Sequence, residues 1–129
     1  MNKIIVEVSV GELLDKISIL EIKQEKIKDP EKLKFISDEH SILKEQFDKN
    51  VKSDEVLDNL FQSLKDINSK LWVIEDDKRK CEKDKDFTEK FIKLSRDVHF
   101  LNDDRAKIKL KINNHTGSKI KEIKEYSSY

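Results

Sequence analysis

A few polar side chains fall where two long helices should present apolar surface. Between Leu57 and Cys81 the apolar positions Leu57, Leu60, Leu64, Ile67, Leu71 and Ile74 recur at helical spacing, and Asn68, Trp72, Glu75 and Arg79 lie on adjacent rows of the same face. A second segment repeats the arrangement. Its stripe is Phe87, Phe91, Leu94, Val98, Leu101, Ile108 and Ile112, with Arg105 on the stripe and Asn102 beside it. A buried charge is costly unless paired, so these positions need partners. Side chains that face one another across a bundle core are how such folds build ligand sites. Lys16, Lys23 and Arg105 suit a carboxylate, a phosphate or a sugar phosphate, and Glu75 or Asp103 could move a proton on such a ligand. The candidate ligand-binding set is therefore Lys16, Lys23, Asn68, Glu75, Arg79, Asn102, Asp103 and Arg105.

Each position also has a structural reading. Asn68 and Asn102 are favoured as core hydrogen bonds that fix helix register, as buried Asn does in coiled coils. Arg105 beside Glu75 or Asp103 would make an ion pair that serves specificity rather than chemistry. His40 reads as a hydrogen-bonded core histidine, and Trp72 as a core residue with its ring N–H satisfied. Lys107, Lys109 and Lys111 spread around the outside of a helix and read as a solvated face. Cys81 has Lys78 and Lys80 nearby but no base, which makes it inert.

Four helices must position these groups. Residues 1–8 hold Lys3 to Val8, a β-branched run that reads as a short extended arm. Ser9 and Glu12 fit a capping box that opens helix 1, about Val10 to Lys28, with Leu13, Ile17, Leu20 and Ile27 inward. Asp29-Pro30 breaks the chain and starts helix 2, about Pro30 to Lys49, with Leu33, Ile36, Leu43 and Phe47 inward. Helix 3 spans about Asp54 to Glu82 and helix 4 about Phe87 to His115. Gly117 is the stop, and residues 117–129 are a tail.

Short connections make an all-α, antiparallel, up-down-up-down four-helix bundle in a single domain spanning 1–129. Helices 3 and 4 are longer by about ten residues, or about 15 Å, so their joined tips should project with Ile74, Phe87, Phe91 and Leu94 uncovered. A homodimer through this hairpin is the expected reason, and the tail folding over the tips is the alternative. Folding the turns places Leu20, Asp38, Leu64 and Arg105 at one height and Lys23, Asn68 and Asn102 about one turn higher, so Lys23, Asn68, Asn102 and Arg105 could meet inside the bundle. Lys16 falls just below them, and Glu75, Asp76 and Arg79 nearer the projecting end.

Composition removes several classes. Twenty-seven basic and 27 acidic residues cancel, which speaks against a general nucleic-acid binder. One Cys forbids an internal disulfide and suits a reducing cytoplasmic setting. The Ile4-Ile5-Val6 run is too short for a signal peptide or a membrane span, so no membrane insertion is expected. Two Gly cannot build a phosphate-cradling loop, and no zinc spacing or nucleophile elbow exists. No metal or cofactor is assigned. Glu75-Asp76-Asp77 and Asp103-Asp104 could face Mg²⁺ as in helical nucleotide pyrophosphatases. Adjacent carboxylates diverge by about 100° on a helix, however, and the paired spacings of those enzymes are displaced.

Three stretches together resemble a known group. They are Val6 to Lys23 (VEVSVGELLDKISILEIK), Leu71 to Asp76 (LWVIED) and Asn102 to Asn113 (NDDRAKIKLKIN). The chain resembles a family of short uncharacterised bacterial and phage proteins, a domain of unknown function, over nearly its whole length. The resemblance implies proximity to surface-polysaccharide and glycosyltransferase genes, hence envelope glycan assembly. It draws attention to Glu12, Asp15, Lys16, Glu21, Lys23, Trp72, Glu75, Asp76, Asn102, Asp103 and Arg105. Three functional readings follow. The leading one is a non-catalytic accessory module. The second is a small-anion pocket of the Arg/Lys kind that helical chorismate mutases place between helices, a likeness of architecture only. The last is a Mg²⁺-dependent nucleotide hydrolase.

Overall fold

The computed structural model describes residues 2–120, 123–125 and 127. It contains α1 Val10–Lys26, α2 Pro30–Asn50, α3 Glu55–Asp84 and α4 Glu89–Thr116, with no strand among the described residues. The helix starts follow local chemistry. Ser9 Oγ accepts from the Glu12 N–H at 3.0 Å, Asp29 from Glu31 at 3.0 Å ahead of Pro30, and Asp54 from Leu57 at 2.7 Å. The reciprocal half of the expected capping box does not form, because the Glu12 carboxylate reaches Lys109 at 2.7 Å instead.

Three boundaries move by two residues, and one of these is the end of α3, at Asp84 rather than Glu82. Helix α1 stops at Lys26 rather than Lys28, since Ile27 turns extended (φ −86°, ψ 135°) ahead of the Asp29-Pro30 break. Helix α4 starts at Glu89 rather than Phe87, because Asp86 captures the Thr88 N–H at 3.1 Å in a turn that leaves Thr88 as the cap residue. Gly117 closes α4 at φ 68°, and Lys85 closes α3 in the same left-handed region at φ 56°, where a β-carbon is strained.

Consecutive helices run antiparallel. Glu21 on α1 meets His40 on α2, and Asp54 at the head of α3 meets His115 at the foot of α4. Helix α1 therefore runs alongside α3 in the same direction and opposite to α4, with Gly11 against Asn113 and Asp15 against Arg105. The result is an up-down-up-down four-helix arrangement with α1 at its centre. Helix α1 packs on all three others, whereas α2 pairs with α1 alone. The core is Leu14, Ile17, Phe47, Leu57, Leu64 and Ile112, and Phe47 is the one buried residue that α2 supplies.

Helix α3 has 30 residues and α4 has 28, against 17 in α1, so the α3/α4 hairpin runs on past α1. In the overhang Cys81 is buried, Phe87 stacks edge-on against Phe91 at 5.4 Å, and the Lys78 ammonium sits over the Phe91 ring. Ile74, Phe91 and Leu94 are half-buried there, and Phe87 is exposed. The tail does not begin near these tips. Ser118 accepts the Val10 N–H at 3.3 Å, at the opposite end of the molecule. Residues 121, 122, 126, 128 and 129 of the tail lie outside the described residues. The N-terminal arm is extended and exposed, with Ile4, Ile5 and Val6 all open to water.

Candidate functional site

The polar centre of the bundle is built around Asp15, which is 2% exposed. It lies on the face of α1 that meets α3 and α4. One carboxylate oxygen accepts from Asn68 Nδ2 at 2.9 Å and from Arg105 Nε at 2.9 Å. The other accepts from Arg105 Nη2 and lies 3.9 Å from the Lys109 ammonium. Ser18 Oγ donates to the Asp15 carbonyl at 2.7 Å and accepts from Asn68 at 2.8 Å. Arg105 Nη1 lies 3.5 Å from Asn102 Oδ1.

Burial pushes the Asp15 carboxyl up. The hydrogen bonds from Arg105 and Asn68, with the charges of Arg105 and Lys109, outweigh it and hold the group below the ordinary carboxylate range. Among the described residues no buried side-chain nitrogen or oxygen lacks a hydrogen-bond partner. A buried ionic group that is fully satisfied fixes register and tolerates little change.

Beside this network lies a cleft of about 370 Å³ between α1, α3 and α4. Ile19, Ile22 and Leu71 form its apolar part, Trp72 walls it, and Asn68 and Arg105 reach it from the buried network. Glu75, Asp76 and Arg79 supply the remaining charges. Asp76 is paired with Lys80 at 3.5 Å. Glu75 and Arg79, four residues apart on α3, make no ion pair with each other or with any described residue. Both are exposed. The cleft thus offers the indole of Trp72 beside a guanidinium and a carboxylate that make no ion pair with any described residue.

Of the eight residues singled out by spacing, Asn68, Glu75, Arg79 and Arg105 converge on this cleft, and Asn102 touches Arg105 from behind. Lys16 is exposed and leans on Glu12 at 3.8 Å. Lys23 and Asp103 are part-buried but do not line the cleft. Arg105 pairs with Asp15 rather than with Glu75. The folded-hairpin height map set Arg105 level with Leu20, more than one helical turn beyond its true partner. The expected solvated face is also corrected at Lys109, which is 7% exposed and bound to Glu12. Its ammonium points into the α1–α4 seam because Gly11 lets those helices approach closely.

Spacing missed Ser18 and Lys109, and Asp15 was marked only by the family resemblance. The available signal was Arg105 itself: a cation on an apolar stripe demands a buried acid on a facing helix.

No curated protein and no solved structure matches the chain significantly. The chain belongs to a family of unknown function, DUF6165, whose family model matches residues 4–129.

Proposed function

We propose that this chain is a non-catalytic helical module that binds a small anionic molecule in the cleft beside Trp72. The observation that carries the reading is Arg79. It lines a preformed cleft with no ion pair among the described residues, while the charges of the neighbouring core are all engaged. An Arg fork suits a carboxylate or a phosphate. Glu75 would accept from a hydroxyl, and the indole of Trp72 would cover an apolar ring face, so a sugar phosphate fits the set best. An accessory role in envelope glycan assembly, which the likeness to short bacterial and phage proteins implies, is consistent with such a ligand. The lone buried Cys81 suits a reducing cytoplasm.

The test uses the one Trp in the chain. Trp72 fluorescence and thermal unfolding are followed while inorganic phosphate, sugar phosphates and small dicarboxylates are titrated in. A ligand of the native state raises the unfolding midpoint by mass action and changes the indole emission. Arg79→Ala should weaken that binding by roughly tenfold or more, the worth of one charge-assisted hydrogen bond. The fold should be untouched, because Arg79 is exposed and makes no ion pair with any described residue. Silence of both signals across the panel would remove the ligand reading.

A further inference from the structure

We infer that the outer face of the α3/α4 hairpin seats a second copy of this chain, antiparallel, about a two-fold axis at the level of Val73 and Phe100. Helix α1 covers the inner face of the hairpin. On the outer face, α3 and α4 leave a groove of about 620 Å³ walled by Val73, Ile74, Phe100 and Leu101, with Lys70 and Asp97 at its edges. Val73 is 48% exposed and Phe100 40% exposed. Helix α2 does not reach this face, since it pairs with α1 alone.

The order of charges along α3 identifies the occupant. Asp66, Lys70, Val73, Asp77 and Lys80 follow one another at three- and four-residue steps, so they form one row on the helix surface. The row reads acid, base, apolar, acid, base. Reversing it about Val73 sets Lys70 against Asp77 of the second copy, twice over, and Asp66 against its Lys80. A symmetric interface must be self-complementary in this way.

Within one chain Lys70 and Asp77 make no ion pair with any described residue. On α4 the same operation, centred on Phe100, sets Arg96 against Asp104. It also brings Lys93 towards Lys107 and Asp97 towards Asp103, two like-charge pairs that the Lys93–Asp97 bridge at 2.8 Å offsets within each copy. The chain carries no net charge to oppose self-association.

The facing surface is about two helices wide and about 27 Å long, or roughly 500 Å² per copy, the small and reversible end of specific interfaces. Weak, reversible association, with a dissociation constant on the order of micromolar, is the expectation for an interface of this size class. The apolar centre supplies the affinity and the flanking charges set the register. This surface lies on the other side of α3 from the Trp72 cleft and stands independently of the ligand proposal.

The test is sedimentation velocity of the full chain from about 1 to about 200 µM, which brackets a micromolar equilibrium. The wild type should pass from monomer to dimer. Lys70→Glu and Asp77→Lys should each weaken dimerisation at least tenfold, since each creates two like-charge contacts. Mixed in equal amounts, the two variants should dimerise again, because the new carboxylate at position 70 then faces the new ammonium at position 77. Helical circular dichroism of both variants should match the wild type, because these side chains make no hydrogen bond or ion pair with any described residue. A wild type that stays monomeric throughout would overturn the inference. So would variants that dimerise as the wild type does, or a mixture that associates no better than its components.

Discussion

A single carboxylate organises the centre of this protein. Asp15 receives Arg105 and Asn68 directly and Lys109 at longer range, so two cations and an amide converge on one buried acid. Asp15→Ala removes the carboxylate that Arg105 binds and one of two partners from Asn68 and Lys109, which keep Ser18 and Glu12, and loss of one member of a buried ion pair costs about 3–5 kcal/mol. Urea unfolding measures this, and a loss below about 1 kcal/mol, the worth of a surface pair, would mean the group is effectively solvated. The same residue sets an acid limb. Its folded pKa lies below the unfolded value, so its contribution is complete above the unfolded pKa of about 3.9. That contribution is lost as pH falls through the lower folded value. The thermal midpoint of the wild type should therefore drop below about pH 4, with a shallower drop in Asp15→Asn. Superimposable acid limbs would show that Asp15 is not the group responsible.

Between elements, the tightest feature is the crossing of α1 and α4 at Gly11. A β-carbon there would stand 2.6 Å from the Lys109 carbonyl oxygen and 2.8 Å from Asn113 Oδ1, which accepts the Gly11 N–H. The first obstacle is backbone, so only movement of the whole helix relieves it. Gly11→Ala sets two effects against each other. In an open helix Ala is better than Gly by about 1 kcal/mol, whereas overpacking a closed seam costs about 1–3 kcal/mol. The 2.6 Å approach decides for the second. Chemical denaturation should show Gly11→Ala destabilised, and a stabilised variant would mean that α1 and α4 stand further apart. This seam also holds the Lys109–Glu12 pair in place, so helix geometry and site electrostatics share one glycine.

At the scale of the molecule the four helices are unequal. Helices α1, α3 and α4 share the buried polar centre. Helix α2 adds Phe47 to the core, leaves Phe35 70% exposed and Ile42 62% exposed, and its backbone comes close to α1 alone. Local opening is cheapest where apolar burial is least. Hydrogen exchange should therefore show α2 amides exchanging well ahead of those in α1 and the first half of α3, through an opening that leaves the Asp15 network shut. Uniform protection across all four helices would count against this and would require α2 to be covered by something else.

How much of this was written in the chain varies with the range of the interaction. The existence, order and approximate ends of the helices were legible because caps and breakers act within four residues: Ser9, Asp29-Pro30, Asp54 and Gly117 all stand where the chain starts or stops a helix. The unequal lengths, and hence the projecting hairpin, followed from the same local signals. Spacing also picked out Asn68, Glu75, Arg79 and Arg105, since a polar group on an apolar stripe is visible in one helix alone. It could not say that Arg105 meets Asp15, that Lys109 turns inward, or that α2 stands aside from α3 and α4. Those outcomes depend on the axial offset and rotation between helices that are distant in sequence. A shift of one turn, about 5.4 Å, exchanges one partner for another without changing any local preference. Only the packing of α1 against α3 and α4, through the close approach at Gly11, decided that offset and so decided which charges became core and which were left facing the cleft.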